Sequence, residues 1–592
     1  MKEILYILVI SSIFLGKINA RTYYISTTGN NANDGLSTVK SWRTLTYASG
    51  STSPVIAGDT VFVKAGDYGA EFVEFEKIGK ASDPIVYQGY KTTPGDLPVL
   101  NYTIGAALNS TLMPLYNGGD RANGKIGFNL IDKSYITINN FQITNYEYGI
   151  TTGNGHHLIL NNINVMYLGD ISNSYSGNGI QLGLTGTAWS NNNSVTNCLI
   201  VNSAAEGLSI NGHYNTITNN KVYCNEGLIG SGNNSATDYY ILINGNYNSI
   251  VNCYTERVGN LGHYGHGIGL KYNCQNNTIT KCKSVNMSEC FYVRHTGVKY
   301  NKFYNCSSVR GDSYAVRDGA SNNTFVDCVS DSADAGFLFF DTSEDGGAKY
   351  AGRNNVFKNC IIKNANYGVS FDNYNQVSPV DSNIIANCTF YNINYLFRSN
   401  KQNSENKIIN CLISNVKNLS IGTYSISVKY YNSNFYGTGF SNPIGTNIIS
   451  LNPLCVNPLK GDFRLLSSSP CINSGTNLPY VTNDFDGTPR PQQNGYDIGA
   501  FEYRPSIVTG DQSFDFQTNQ LNVYPNPTYS TITVITNCVN DKITIYDMLG
   551  KELLSVISVS NINEINLDSF TDGIYYIKVG DHLSTKIFKL SN

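Results

Sequence analysis

Asn277-Thr278-Ile279-Thr280-Lys281-Cys282, Asn301-Lys302-Phe303-Tyr304-Asn305-Cys306 and Asn323-Thr324-Phe325-Val326-Asp327-Cys328 are three copies of one phrase. It reads Asn, any residue, apolar, two residues, Cys. It also spans Asn193–Cys198, Asn248–Cys253, Asn355–Cys360, Asn383–Cys388 and Asn406–Cys411, and Asn215–Asn220 carries Asn in the Cys slot. The copies recur roughly every 22 to 33 residues, a solenoid period. No copy is long enough to bury an apolar face alone, so the coils must stack. Alternating, often β-branched apolar residues point to strands rather than helices. The phrase-initial Asn suits a turn, because Asn tolerates left-handed backbone and bonds its own chain locally. The reading is an all-β chain built on a parallel β-helix, with ladders of like residues inside and outside.

The chain has 592 residues, 14% of them charged, with 43 Tyr, 55 Gly and a net charge of −3. A repeat array grows its core by stacking, so this length fits one solenoid. The charge gives no nucleic-acid footprint. Residues 1–20 read as a secretory signal: Lys2, the apolar run Ile4–Gly16, and Ala20 before Arg21. Of the 14 Cys, eight share one repeat position and are expected to form a ladder of small buried hydrophobes. Cys455 and Cys471 lie outside that ladder, and a disulfide between them stays open.

Upstream of each phrase lies a second alternating strand. In register these are Gly179–Gly183, Gly207–Asn211, Tyr240–Asn244, Gly267–Lys271, Cys290–Arg294, Ser313–Arg317, Gly336–Phe340 and Gly368–Asp372. Their second and fourth positions are apolar and face in; the third and fifth face out. The fifth positions make an outward column of Asn211, Asn244, Lys271, Arg294, Arg317, Phe340 and Asp372. Three cations in a row, about 4.8 Å apart, repel one another, and an anionic partner lying along the helix explains them. A solvated row neutralised by Asp312, Asp318 and Asp341 is the plainer alternative. Tyr292 faces out beside Gly269, which would leave room for a bound ring. His295 follows Arg294, while Glu206, His263, His266, Glu289 and Asp312 precede the strands as one wall.

Other segments carry resemblances. Thr22–Gly35 and Ala57–Tyr68 resemble the start of secreted right-handed β-helix proteins, and Asp484–Tyr503 resembles their closing module. Residues 21–100 are thus expected to open and cap the helix, 101–416 to form its coils, 417–503 to hold irregular coils and a C-terminal cap, and 504–520 to be a linker. Leu521-Asn522-Val523-Tyr524-Pro525-Asn526-Pro527, Ile543–Asp547, Gly573–Val579 and Lys586–Leu590 resemble the type IX secretion sorting domain of Bacteroidetes. That implies a small β-sandwich over 521–592 read by the type IX secretion machinery, and a protein secreted or held on the outer surface.

Leu270-Lys271, Asn277-Thr278-Ile279 and Val293-Arg294-His295 resemble the catalytic stretch of family 6 polysaccharide lyases, which include chondroitinase B and alginate lyases. The resemblance implies Lys271 as general base, with Arg294 as proton donor or partner of the substrate's carboxylate. Asn211, Asn244, His266, Tyr292, His295, Arg317 and Asp372 are then the substrate-binding candidates. In that family acidic calcium ligands precede the Lys. Here those places hold Tyr264 and His266, so calcium stays open and no cofactor is read from the residues. The expected activity is β-elimination on an anionic, uronate-containing polysaccharide by a monomer. A C5-epimerase shares the proton abstraction. A glycoside hydrolase, using two of Asp312, Asp318, Asp341, Glu344 and Asp372, and a non-catalytic carbohydrate-binding surface protein are the alternatives. The particular polymer is not legible.

Overall fold

The structure is a computed structural model, and it describes all residues except 1–19, 92, 94–95, 103–125, 170–176, 185, 187, 204, 225–236, 259–264, 343–349, 373–378, 442, 505–521, 525–527, 529, 536–540, 548–549, 559–561, 581–582 and 590–592. The signal segment but for Ala20, the linker but for Arg504, and His263, Tyr264 and Glu344 lie outside the described residues. So does part of the Leu521–Pro527 motif.

Two compact units divide the chain, residues 1–504 and 505–592. The first is a right-handed parallel β-helix, the hand that parallel crossovers favour, and its main sheet system counts 38 strands among the described residues. A representative coil contributes His266–Leu270, Thr278–Thr280 and Lys283–Val285, and the next contributes Glu289–Arg294, Lys302–Tyr304 and Ser307–Val309. They pair in parallel without slippage: Ile268 with Phe291, Ile279 with Phe303, Ser284 with Ser308. Alternation explains this register, since a slip of one residue would turn the buried Ile268, Leu270, Phe291 and Val293 outward. Inside, Phe303, Phe325 and Phe357 stack at 4.6 Å per step.

The phrase-initial Asn does something other than close its own turn. It is buried, and its side chain bonds the next coil. Both the backbone N–H and Nδ2 of Asn277 donate to Asn301 Oδ1, at 3.0 and 2.9 Å. Asn301 does the same to Asn323, at 3.1 and 3.0 Å. The ladder runs from Asn193 to Asn406. The left-handed residues are its neighbours: Asn276, Tyr300 and Asn322 before it, and Lys281, Asn305 and Asp327 before the Cys. Local bonding gave way because a buried amide satisfies more donors across coils than within a turn. The cysteines form the second internal ladder, with the N–H of Cys253 donating to Cys282 Sγ at 3.4 Å. Every described cysteine is a free thiol, including Cys455 and Cys471, so the open disulfide is not formed.

The closing module packs along the flank of earlier coils. Asn359, Asn387 and Asn410 donate from the helix to the carbonyls of Asn483, Asp497 and Thr476. Phe463, Ala500 and Phe501 bury Ile361. The second unit holds a three-stranded antiparallel sheet (Asn522–Tyr524, Thr531–Ile535, Ile562–Asn566). It also holds a four-stranded one (Glu552–Ile557, Lys542–Tyr546, Gly573–Val579, Leu583–Lys589). Both sheets pack around Ile532, Val534, Ile543, Ile545, Ile577 and Ile587, a small β-sandwich.

Candidate active site

The outer face of the sheet built by the first strand of each coil, such as His266–Leu270 and Glu289–Arg294, here called the first sheet, carries three columns. The fifth positions align as the alternation requires: Arg294 pairs with Arg317 and Arg317 with Phe340, while the N–H groups of Asn244, Lys271 and Asp372 bond the preceding coil. The third positions put Leu242, Gly269, Tyr292 and Ala315 in line. The first residues of the strands form one more column, Glu206, Tyr239, His266, Glu289 and Asp312. Four of these were legible as a wall. Tyr239 falls outside the strand read as Tyr240–Asn244, and a start one residue earlier in each coil brings it into this column.

The cation column is not a solvated row. Arg294 and Arg317 are 5% and 7% exposed, and each holds a carboxylate. Arg294 Nε donates to Asp318 Oδ2 at 2.8 Å, and its Nη2 to Thr342 Oγ1 at 3.2 Å. Thr342 in turn donates its N–H and hydroxyl to Asp318. Arg317 reaches diagonally back to the first column, where its Nη1 donates to both oxygens of Glu289 at 2.6 and 2.8 Å. The partners are therefore Asp318 and Glu289. Asp341 instead faces Lys401, at 3.4 Å. The mutual repulsion expected of bare cations is largely cancelled by these carboxylates.

Lys271 differs. It is half-buried at the rim, and its Nζ donates to Tyr239 Oη at 2.9 Å. The ammonium lies 4.5 Å from the Tyr239 ring centroid and 5.6 Å from that of Tyr272. Tyr239 also stacks on His266, with centroids 5.0 Å apart. His266 Nδ1 is 3.2 Å from Glu289 Oε2, and its Nε2 is 3.8 Å from Asp238 Oδ1. Lys271 therefore sits in an aromatic corner walled by acids.

Several candidates are engaged in packing and hydrogen bonds within the helix. Tyr292 does not leave a slot beside Gly269. Its own ring lies across that glycine, where a Cβ would run into it, and the side chain is buried at 1% exposure. Its hydroxyl is buried without a hydrogen-bond partner. Tyr292 packs with Ala315, Ala335 and Leu338 as an apolar floor under the columns. His295 is buried, and its Nδ1 accepts the N–H of Tyr272 at 2.9 Å, pinning the turn that follows Lys271. Asn211 and Asn244 are buried and bonded to each other, Nδ2 of Asn244 to Oδ1 of Asn211 at 2.8 Å. Asp372 pairs with Arg398 at 2.8 Å. Lys271, Tyr239, His266, Tyr292, Arg294 and Arg317 are thus brought together, while Asn211 and Asp372 are engaged elsewhere in the ladder.

Charge and burial divide the carboxyls. Burial opposes ionisation of Glu289, but Arg317 and His266 outweigh it and hold this carboxyl well below the usual range. Asp312, one coil on, is pushed up to about 7 by burial, then by Asp334 and Glu289. Burial also raises Asp238 and Glu206, against the pull of His266 and Lys271 on the former and of Ser209 and Lys271 on the latter. Among the described residues, no group of three or more His, Cys, Asp or Glu is placed to hold a metal ion.

Among solved structures, the chain is similar to a protein titled rhamnogalacturonan lyase, at 14% identity over 53% of this chain and 82% of that one, with a TM-score of 0.38. It is also similar to a mannuronic acid specific polysaccharide family 6 lyase from human gut microbiota, at 14% identity over 73% and 82%, TM-score 0.35. A lacto-N-biosidase from Eubacterium ramulus matches at 12% identity over 73% and 68%, TM-score 0.29. At such identities and TM-scores none of these activities transfers to this chain. No curated protein matches it. Residues 522–591 match the family described as the secretion system C-terminal sorting domain. This chain therefore carries a type IX export signal and is secreted or attached to the cell surface.

Proposed function

We propose that this protein is a secreted lyase that cleaves an anionic, uronate-containing polysaccharide by β-elimination, with Lys271 as the base. The observation that carries the reading is the Lys271–Tyr239 pair. An amine at the accessible rim is hydrogen-bonded at 2.9 Å to a phenol, one coil from an arginine fixed by Asp318 and Thr342. In β-elimination the amine of Lys271 takes the proton from the carbon beside the carboxylate. That electron pair becomes the new carbon–carbon double bond, and the bond from the β-carbon to the glycosidic oxygen breaks. The departing oxygen takes the Tyr239 hydroxyl proton, and the Lys271 ammonium returns one to Tyr239 through their hydrogen bond. Arg294, locked by Asp318, is suited to stabilising the enolate-like charge rather than to losing its own proton.

A hydrolase is the second reading, favoured by one observation. The Asp312 carboxyl is pushed up to about 7 by burial, then by Asp334 and Glu289, the range in which a general acid for glycoside cleavage works. A panel of uronate polymers separates the two. Ultraviolet absorbance of unsaturated ends rising in step with reducing ends supports the lyase. Reducing ends without that absorbance would overturn it in favour of hydrolysis, and release of neither would remove both.

A further inference from the structure

Beside the cation column, on the turns that follow the first sheet, large rings stand in solvent. Trp189 is 40% exposed, Tyr214 57%, Tyr247 51%, Tyr272 48% and Tyr300 50%. Tyr214 and Tyr247 lie parallel to within 4°, with centroids 5.1 Å apart. His213 continues the row, stacked on Trp189 at 4.9 Å. Tyr214, Tyr247 and Tyr300 occupy the position just before the buried Asn ladder, with φ of 59°, 59° and 62°. Four other coils place Asn there, at Asn192, Asn276, Asn322 and Asn354, and two place Ser382 and Glu405, all left-handed. Asn enters that region at little cost, whereas a bulky ring does so only under strain. One offset stack between Tyr214 and Tyr247 offsets only part of the strain of two such residues. Solvated aromatic surface kept at a conformational cost marks a binding surface rather than a packing device.

Resting on the lyase reading above, we infer that Trp189, His213, Tyr214 and Tyr247 form a platform that holds the polysaccharide upstream of the reacting pair, by contact with the faces of its sugar rings. The occupant follows from position and chemistry. The row spans three coils, with His213 and Tyr214 adjacent on the middle one, and its step of about 4.8 Å per coil is close to one sugar residue of an extended chain. On the next coil towards the proposed site stands Tyr272, whose ring lies 5.6 Å from Lys271 Nζ and whose backbone is pinned by His295. Rings and an imidazole, without carboxylates, recognise the apolar faces of pyranoses rather than their charge. The platform therefore adds grip on long chains and leaves the handling of the carboxylate to Lys271 and Arg294.

The test uses the full chain and the paired substitution Tyr214→Asn with Tyr247→Asn, which installs the residue that four other coils use there. Affinity electrophoresis in gels containing each uronate polymer is run beside turnover of the same polymer and of its short oligosaccharides, and beside thermal melting. The expected result is retention weakened about tenfold or more, slower turnover of polymer but not of short oligosaccharides, and a melting temperature that does not fall. Unchanged retention on a polymer that the wild type binds would overturn the platform and leave the lyase reading standing. A fall in melting temperature with unchanged retention would assign the stack to stability and overturn it equally. Trp189→Ala, outside the left-handed column, checks the same prediction without altering the strained backbone. A wild type that neither binds nor cleaves any polymer would remove the lyase reading and the platform with it.

Discussion

Lys271 and Arg294 share a backbone address one coil apart, yet their surroundings give them different chemistry. Arg294 is buried against Asp318, whereas Lys271 stays half-exposed on Tyr239. The pairing predicts that Tyr239→Phe lowers turnover of the polymer about 10²-fold or more, as loss of a general acid does. The melting temperature should be nearly unchanged, because the ring that stacks on His266 remains. Asp312 offers a test by pH. Its folded-state carboxyl sits at about 7 against about 4 when unfolded, so the native state binds this proton more tightly. The group's contribution to stability is fully present below about pH 4 and is lost as pH rises to about 7. Asp312→Asn removes that loss and keeps an oxygen for the Ala335 N–H that Asp312 Oδ1 now accepts. The variant should match the wild type near pH 4 and exceed it above pH 7, by up to about 4 kcal/mol at 1.36 kcal/mol per pKa unit. Chemical denaturation across that range measures the gap, and equal stability at pH 8 would refute the buried-acid assignment. Glu289 runs the other way: its carboxyl is held low, so its contribution is present above the unfolded carboxylate pKa and fades as pH falls.

At the scale of the strand, alternation made most of the architecture readable. Ile268, Leu270, Phe291 and Val293 could face only inward, so Lys271, Arg294 and Arg317 had to share an outer column, and they do. What periodicity could not convey is what lies against an outward residue. Arg317 finds Glu289 by reaching diagonally across the sheet, and the length and direction of a side chain are not written in a period of two. The space beside Gly269 was legible, but its occupant, Tyr292, was not. The Asn ladder shows the same limit, since the repeated Asn was visible while its bonding across coils was not. That bonding predicts a sizeable penalty for Asn301→Ala. The substitution strands the N–H of buried Asn277 and one Nδ2 hydrogen, while the other Nδ2 hydrogen keeps Gly245 O, at about 2 kcal/mol or more. A urea midpoint lowered accordingly is expected, and an unchanged midpoint would show that the ladder adds nothing to stability.

As a whole molecule, the chain joins a β-helix that holds the candidate site to a sorting domain that addresses it for export. Residues 1–504 hold the candidate site and the flanking module, and residues 505–592 form a unit of their own with a separate core. Ending the chain after Arg504 should therefore leave melting of the helix and turnover of polymer unchanged while abolishing delivery to the surface of a host competent for type IX secretion. Immunodetection on intact cells, with activity measured on the purified unit, checks both halves. The export signal is the part of the function that the sequence stated most directly, because Gly573–Val579 and its companions form one contiguous motif set read by another machine. The proposed reaction draws on three coils whose side chains meet only after folding. The most direct measurement of that reaction follows unsaturated-uronate absorbance over a polymer panel, comparing wild type with Lys271→Ala of equal melting temperature. The account predicts a rise on at least one polymer that falls about 10²-fold or more in the variant, and an equal rise in both proteins would contradict it.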